Sequence, residues 1–318
     1  MCNESDYFLR HLISSAFLRF NANLSAALPR TAPQLRKLLR GVPIDAEHVL
    51  NVRGFPHFVL PYWLSPLRDR TVDAEFQSDV IYSTLNGSHS IRLCDNIADN
   101  DCPPELKKCA PCAAYFDSEF IRPYMKFFGQ TNDFWGMFDK FWAQQAEASS
   151  ADSLLDDVDE ETFASLSSTK FTATKIPIAA VECRYQNLGG SLQRWFQFVD
   201  ALGNFTQFNN DFFDWNHDSL FGITTYISSE SKRRAPRDSL AEWFLREGFD
   251  WGAAELKVKF DNVRLEAETL GNQEVLEWTN ARGRLLDRDI VGTRSGLELV
   301  KTFGKITCGS LTKGGANA

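Results

Sequence analysis

Two stretches of this sequence gather oxygen-bearing side chains at helical spacing. In Arg92-Leu93-Cys94-Asp95-Asn96-Ile97-Ala98-Asp99, the carboxylates Asp95 and Asp99 are four residues apart, so on a helix they share one face a turn from each other. In the stretch from Gln207 to Asp218, the side chains of Asn210, Asp214 and Asp218 fall at i, i+4 and i+8, with Asp211 beside them; that spacing is one column on a helix. Like charges stacked this way destabilise an isolated helix by a few tenths of a kcal/mol, and a bound divalent cation offsets that repulsion. Carboxylate and amide oxygens suit Mg²⁺, which keeps several waters and is held by one or two protein carboxylates plus substrate phosphates. Either cluster alone could be a solvated acidic helix end. Both, however, are flanked by strongly apolar residues (Ile91, Leu93 and Ile97; Phe205, Phe208, Phe212 and Trp215), which puts the carboxylates at the mouth of a core.

The elements that must carry these clusters are helices. Amphipathic three- and four-residue periodicities follow one another along the chain, separated by Pro-, Gly- or Asp-rich breaks, and period-2 alternation is rare. The reading is an all-α fold with helices over about 7–20, 34–39, 71–99, 113–129, 133–148, 162–189 (bent at Pro177), 190–216, 237–270 and 272–303. The acidic, Ser-rich segment 149–161 reads as a loop, and 218–237 as an irregular segment carrying Lys232-Arg233-Arg234. Internal repeats and sharp composition shifts are absent. One domain spanning 1–318 is expected, its core over roughly 70–303 and its last residues, 304–318, a disordered tail.

Composition narrows the class. The chain has 318 residues, 43% hydrophobic and 24% charged, ordinary values for a folded globular protein. Its net charge of −8 is the opposite of a phosphate-backbone binder's footprint, so nucleic acid is set aside. The acidic N-terminus does not resemble a secretory signal and no apolar run is long enough to span a bilayer; a cytoplasmic location without a membrane span is the expectation. With 7 cysteines and no export signal, free thiols are expected. Cys102, Cys109 and Cys112 include one CxxC, half of a zinc site, which leaves loop thiols or a structural metal as alternatives. The unusual figure is the aromatic content of 13%, with 26 Phe and 8 Trp.

Taken together, the motifs resemble those of the class I terpenoid synthases, the all-α superfamily of terpene cyclases and trans-prenyl diphosphate synthases. Asp95-Asn96-Ile97-Ala98-Asp99 is similar to the first aspartate-rich motif, DDxxD, with Asn96 at its second position. Asn210 to Asp218 is similar to the cyclases' (N/D)DxxSxxxE, with Asp214 in place of Ser or Thr and Asp218 in place of Glu. Gln207 to Asp214 also resembles the prenyl synthases' FQxxDDxxD. The chain lacks the Arg-Arg-Gly and Gly-Lys-x-Arg of chain-elongating synthases and the C-terminal Arg-Tyr of many microbial cyclases; Arg288 and Arg294 stand in that region without the Tyr. An atypical cyclase fits best, with a prenyl diphosphate synthase that condenses an allylic diphosphate with isopentenyl diphosphate as the alternative.

The resemblance implies a single helical bundle around an aromatic cavity and three Mg²⁺ ions on the substrate diphosphate, with Mn²⁺ an acceptable substitute, and it leaves room for a homodimer. Asp95, Asp99, Asn210, Asp214 and Asp218 would bind metal. Lys170, Arg233 and Arg234 would reach the diphosphate of a prenyl substrate, farnesyl diphosphate by the family's commonest use, and Arg233 and Arg234 would close over it from the irregular segment. Ring faces stabilise carbocations without offering a lone pair, which suggests Tyr82, Phe208, Phe212 and Trp215, with Asn86 and Asp211, as cavity walls. His89 reads instead as a packed or capping histidine.

Overall fold

A computed structural model describes residues 4–39, 41–65, 73–98, 102–186 and 191–313. The described residues are almost entirely helical and contain no strand. In chain order the helices are α1 (Glu4–Ala27), α2 (Ala32–Leu38), α3 (Ala46–Val49), α4 (Leu60–Leu64), α5 (Ala74–Ala98), α6 (Pro104–Lys107) and α7 (Ala113–Phe127). They continue with α8 (Phe134–Asp152), α9 (Glu160–Thr169), α10 (Lys175–Tyr185), α11 (Leu192–Phe221), α12 (Tyr226–Arg234), α13 (Leu240–Trp243), α14 (Phe249–Leu270) and α15 (Gln273–Lys313). None of them is long and apolar enough to cross a membrane.

Two long helices organise the rest: α5 packs chiefly on α7 and α1, while α11 packs chiefly on α14 and α9. The close approach of α11 to α14 depends on Gly252, because a Cβ there would lie 2.6 Å from the Phe212 ring. Around α11 the larger core gathers Phe198, Phe205, Phe208, Phe212, Trp243 and Phe260. A second cluster, built on Ile13, Phe20, Leu85 and Phe116, joins α1 to α5 and α7. Cys109 and Cys112 are buried there as free thiols, Cys112 against the Thr31 hydroxyl at 3.8 Å.

Local chemistry explains where the helices depart from the periodicity. Pro177 does not bend a long helix: it occupies the first turn of α10, where its missing N–H is not needed, and the break falls before it, at 170–174. The segment expected to be irregular contains α12, whose start is fixed by a reciprocal capping box between Thr225 and Ser228. Helix α8 extends into the acidic stretch as far as Asp152, and Asp159 caps α9 through the Thr162 amide, so the loop shrinks to 153–159. Helix α11 runs on to Phe221 and stops at Gly222, which adopts φ 71°, a left-handed conformation that glycine reaches without a Cβ penalty. Helix α15 continues to Lys313, into the segment expected to be a tail; 314–318 lie outside the described residues.

Candidate functional site

Helix geometry decides which residues of α5 and α11 face the same space. At 3.6 residues per turn, Ser88, Ile91, Arg92, Asp95 and Asn96 form one stripe of α5, and Thr206, Gln207, Asn210, Asp211, Asp214 and Asp218 form one stripe of α11. These two stripes are walls of a single cavity of about 540 Å³. Between them the lining carries the rings of Phe55, Phe58, Phe163, Phe171 and Tyr226 and the side chains of Arg53, Asp152 and Lys170. The two motif clusters, 115 positions apart in sequence, therefore meet at one site. Asp99 lies outside the described residues.

The electrostatics of the cavity are those of a site with surplus negative charge. Asp211 is 5% exposed and accepts a hydrogen bond from Gln207 Nε2 at 2.9 Å. Burial, reinforced by the nearby Asp218 charge, pushes Asp211 up to about 7, against the pull of Gln207 and Lys170. Lys170 bonds Asp152 at 2.5 Å, so it enters the cavity partly neutralised. Arg92 lies 4.0 Å from Asp95, and its side chain fills the space that a Cβ on Gly41 would need. Arg53 is held by Asp289 of α15, with one contact of 2.8 Å. The Nδ2 of Asn96 is buried without a hydrogen-bond partner.

Whether this donor set suits Mg²⁺ is a question of ligand type. Asp95 and Asn96 on one wall, and Asn210, Asp214 and Asp218 on the other, offer only oxygen ligands, the hard donors that Mg²⁺ selects. The Asp218 charge, second to burial in raising Asp211, is one that a cation beside it would offset. Among the described residues no three His, Cys, Asp or Glu side chains converge as a closed metal cage. Mg²⁺ is ordinarily completed by waters and substrate phosphates rather than by a cage, so the chemistry of these donors fits the ion.

Several residues expected at the site lie elsewhere, for reasons visible in the same periodicity. Phe208 and Phe212 leave α11 on the flank beyond Asp211 and enter the core, and Trp215 packs against that core from the same flank. Phe212 packs on Phe249 and Phe244, Trp215 stacks on Phe244 at 4.5 Å, and Phe208 stands edge-on to Trp251 with ring centroids 6.0 Å apart. Tyr82 and Asn86 face away from the cavity: the Tyr82 hydroxyl bonds Glu119 and accepts from Asn23 Nδ2 at 2.9 Å, and Asn86 Nδ2 donates to the Tyr82 carbonyl. His89 shares that side, sandwiched near Phe20 and Phe116 with Nδ1 on the Leu85 carbonyl at 2.7 Å, and burial holds it down at about 4.

Arg233 and Arg234 do not stand over the cavity on a loop. They end the capped helix α12, where Arg233 binds Glu230, Asp157 and the Val158 carbonyl. Arg234 pairs with Glu230 and lies over Trp251. A neighbouring carboxylate and a ring have taken up both guanidinium groups.

Other lining residues escaped the sequence reading. Asp152 belongs by composition to the acidic segment 149–161, and only the fold brings it to the cavity and to Lys170. Arg53, Phe55, His57 and Phe58 sit in a segment without periodicity between α3 and α4, where no sequence signal distinguishes a cavity wall from a surface loop. Ser88 was legible: it stands seven residues before Asp95, two turns back on the same stripe. Neither the protein-family models nor the curated proteins searched contain a match to this chain.

Proposed function

We propose that the protein is a Mg²⁺-dependent terpene synthase that ionises an allylic prenyl diphosphate and lets the resulting carbocation cyclise within the aromatic part of the cavity. The observation that supports this reading is the meeting of both carboxylate stripes, Asp95–Asn96 and Asn210–Asp218, on one aromatic-lined cavity of about 540 Å³. A dianionic or trianionic diphosphate cannot approach five cavity carboxylates unaided, so the reading requires cations between them. Bound Mg²⁺ would supply positive charge that stabilises the departing diphosphate. Asp95, Asn96, Asn210, Asp214 and Asp218 would hold it, while Lys170, Arg92 and Arg53 donate to diphosphate oxygens as the C–O bond breaks. The released allylic cation would lie against Phe55, Phe58, Phe163, Phe171 and Tyr226, whose ring faces attract positive charge and exclude water.

The test is incubation of the purified protein with geranyl, farnesyl and geranylgeranyl diphosphates, with and without isopentenyl diphosphate, in Mg²⁺ and in EDTA. Gas chromatography–mass spectrometry then reads the organic extract and the phosphatase-treated aqueous phase. The expected result is a cyclic hydrocarbon from one allylic diphosphate alone, with farnesyl diphosphate the first to try, abolished by EDTA and by Asp214→Ala. Longer prenyl alcohols formed only with isopentenyl diphosphate would make the protein a chain-elongating synthase instead. No consumption of any substrate would leave the cavity as a binding site without catalysis.

A further inference from the structure

One titratable pair in the cavity is not used by the chemistry above. His57 and Ser88 both line the cavity, His57 from the non-helical segment before α4 and Ser88 from the same stripe of α5 as Arg92 and Asp95. His57 Nδ1 is 3.1 Å from the Phe55 carbonyl oxygen, and Nε2 is 3.1 Å from Ser88 Oγ. A carbonyl oxygen only accepts, so Nδ1 carries the proton and donates; Nε2 of the neutral ring is then an acceptor, and the Ser88 hydroxyl donates to it. The ring is wedged between Phe58, 3.9 Å away, and Phe55, 5.7 Å away. Burial, helped by the Arg92 charge, holds His57 down at about 4, so it is neutral near pH 7 and its basic nitrogen is free of a proton.

Carbocation chemistry that ends in a hydrocarbon needs a proton acceptor at its last step. We propose that Ser88 and His57 form the proton relay that terminates the reaction, an inference that rests on the terpene synthase reading. A C–H bond adjacent to the cationic carbon breaks, and its electron pair becomes the new C=C bond. Its proton goes to Ser88 Oγ as the Ser88 hydroxyl proton passes to His57 Nε2. Atoms and charge balance: the cation becomes a neutral alkene and the imidazole becomes imidazolium. The same 3.1 Å contact serves both states, because Nε2–H then donates to the Ser88 oxygen that had donated to it. Nδ1–H stays on Phe55 throughout, so the ring need not turn. The weak basicity of this histidine is no obstacle, since a C–H beside a carbocation is far more acidic than imidazolium and proton transfer runs downhill. The imidazolium afterwards loses its proton to released diphosphate, which restores the resting state.

The test compares wild type with His57→Phe, which suits the surrounding Phe55 and Phe58, and with Ser88→Ala. Two readouts are taken with farnesyl diphosphate and Mg²⁺: total inorganic diphosphate released and the product profile by gas chromatography–mass spectrometry. The expected result is diphosphate release within about threefold of wild type while the main wild-type hydrocarbon falls by about tenfold or more in both variants, replaced by alkene isomers or water-captured alcohols. Melting temperatures of the variants are compared so that a damaged fold, which lowers release and product together, is recognised; Ser88→Cys, which keeps a polarisable donor, should restore part of the native profile. A wild-type enzyme whose hydrocarbon profile is unchanged by both substitutions overturns the relay and leaves the cyclase reading intact. A wild-type protein that releases no diphosphate from any allylic substrate overturns the cyclase reading and the relay with it.

Discussion

Replacing Asp211 by Asn should stabilise the metal-free protein above pH 7 while harming its response to Mg²⁺. Asp211 is buried, and burial together with the Asp218 charge raises it from 3.8 to about 7. Because the native value lies above the unfolded one, the folded state binds more protons than the unfolded state between these two values, and its stability falls as pH rises through that window. The penalty is absent well below pH 4 and complete above pH 7. At 1.36 kcal/mol per tenfold, a rise from 3.8 to about 7 sets a ceiling of about 4 kcal/mol; halving it for local relaxation and water entry leaves ~2 kcal/mol. Asn cannot ionise, and its Oδ1 can still accept from Gln207 Nε2. Asp211→Asn in EDTA should therefore unfold about 5 °C higher than wild type at pH 8 and match it at pH 4. Wild type should lose stability between pH 4 and 7 at this site, whereas the variant should show a flatter slope. Adding Mg²⁺ with inorganic diphosphate should raise the melting temperature of wild type more than that of the variant. Thermal unfolding followed by circular dichroism across pH 4–8 reads all of this. A variant with the same pH slope as wild type, or one less stable at pH 8, would refute the reasoning.

Further consequences concern particular side chains. Asp95→Asn and Asp214→Asn should reduce diphosphate release by about 10²-fold or more with little change in melting temperature, since Asp214 is exposed and Asp95 is half-buried with only a loose 4.0 Å contact to Arg92; equal losses in stability and activity would argue for a structural role. Tyr82→Phe, which leaves Glu119 and Asn23 without the hydroxyl, should cost about 1–2 kcal/mol of stability and leave the product profile untouched. A shifted profile would bring Tyr82 back to the cavity. Gly252→Ala places a Cβ 2.6 Å from the Phe212 ring and should destabilise by about 1–3 kcal/mol, measured by urea titration; a neutral result would mean that α14 can draw away from α11. Arg233→Ala should lower substrate turnover by no more than a few fold, because its partners are Glu230, Asp157 and the Val158 carbonyl; loss of all turnover would return Arg233 to the diphosphate.

Much of the molecule follows from local pattern. The two carboxylate columns, the all-helical character and the long helices that carry the columns are properties of residue type at three- and four-residue spacing, and short-range periodicity survives in any fold that buries one face of each helix. The same arithmetic separates Asn210 and Asp214 from Phe208 and Phe212, because two residues along a helix are more than half a turn around it, whereas Asp211 and Trp215, four apart, stand on adjoining flanks. Proximity in the chain suggested those rings as cavity walls, yet Phe208 and Phe212 pack on Trp251 and Phe249 of α14, and Trp215 stacks on Phe244 just ahead of it. Helix ends were harder to read, since Thr225 and Ser228 start α12 by side-chain hydrogen bonds that no hydrophobic periodicity records. The packing of whole helices, by contrast, sets which side-chain tips meet. Lys170 finds Asp152, Arg233 finds Asp157, and His57 finds Ser88 across 31 positions. Such contacts join segments far apart in sequence, and each depends on how whole helices pack, so the residues involved carry no mark of it in their own neighbourhood of the chain.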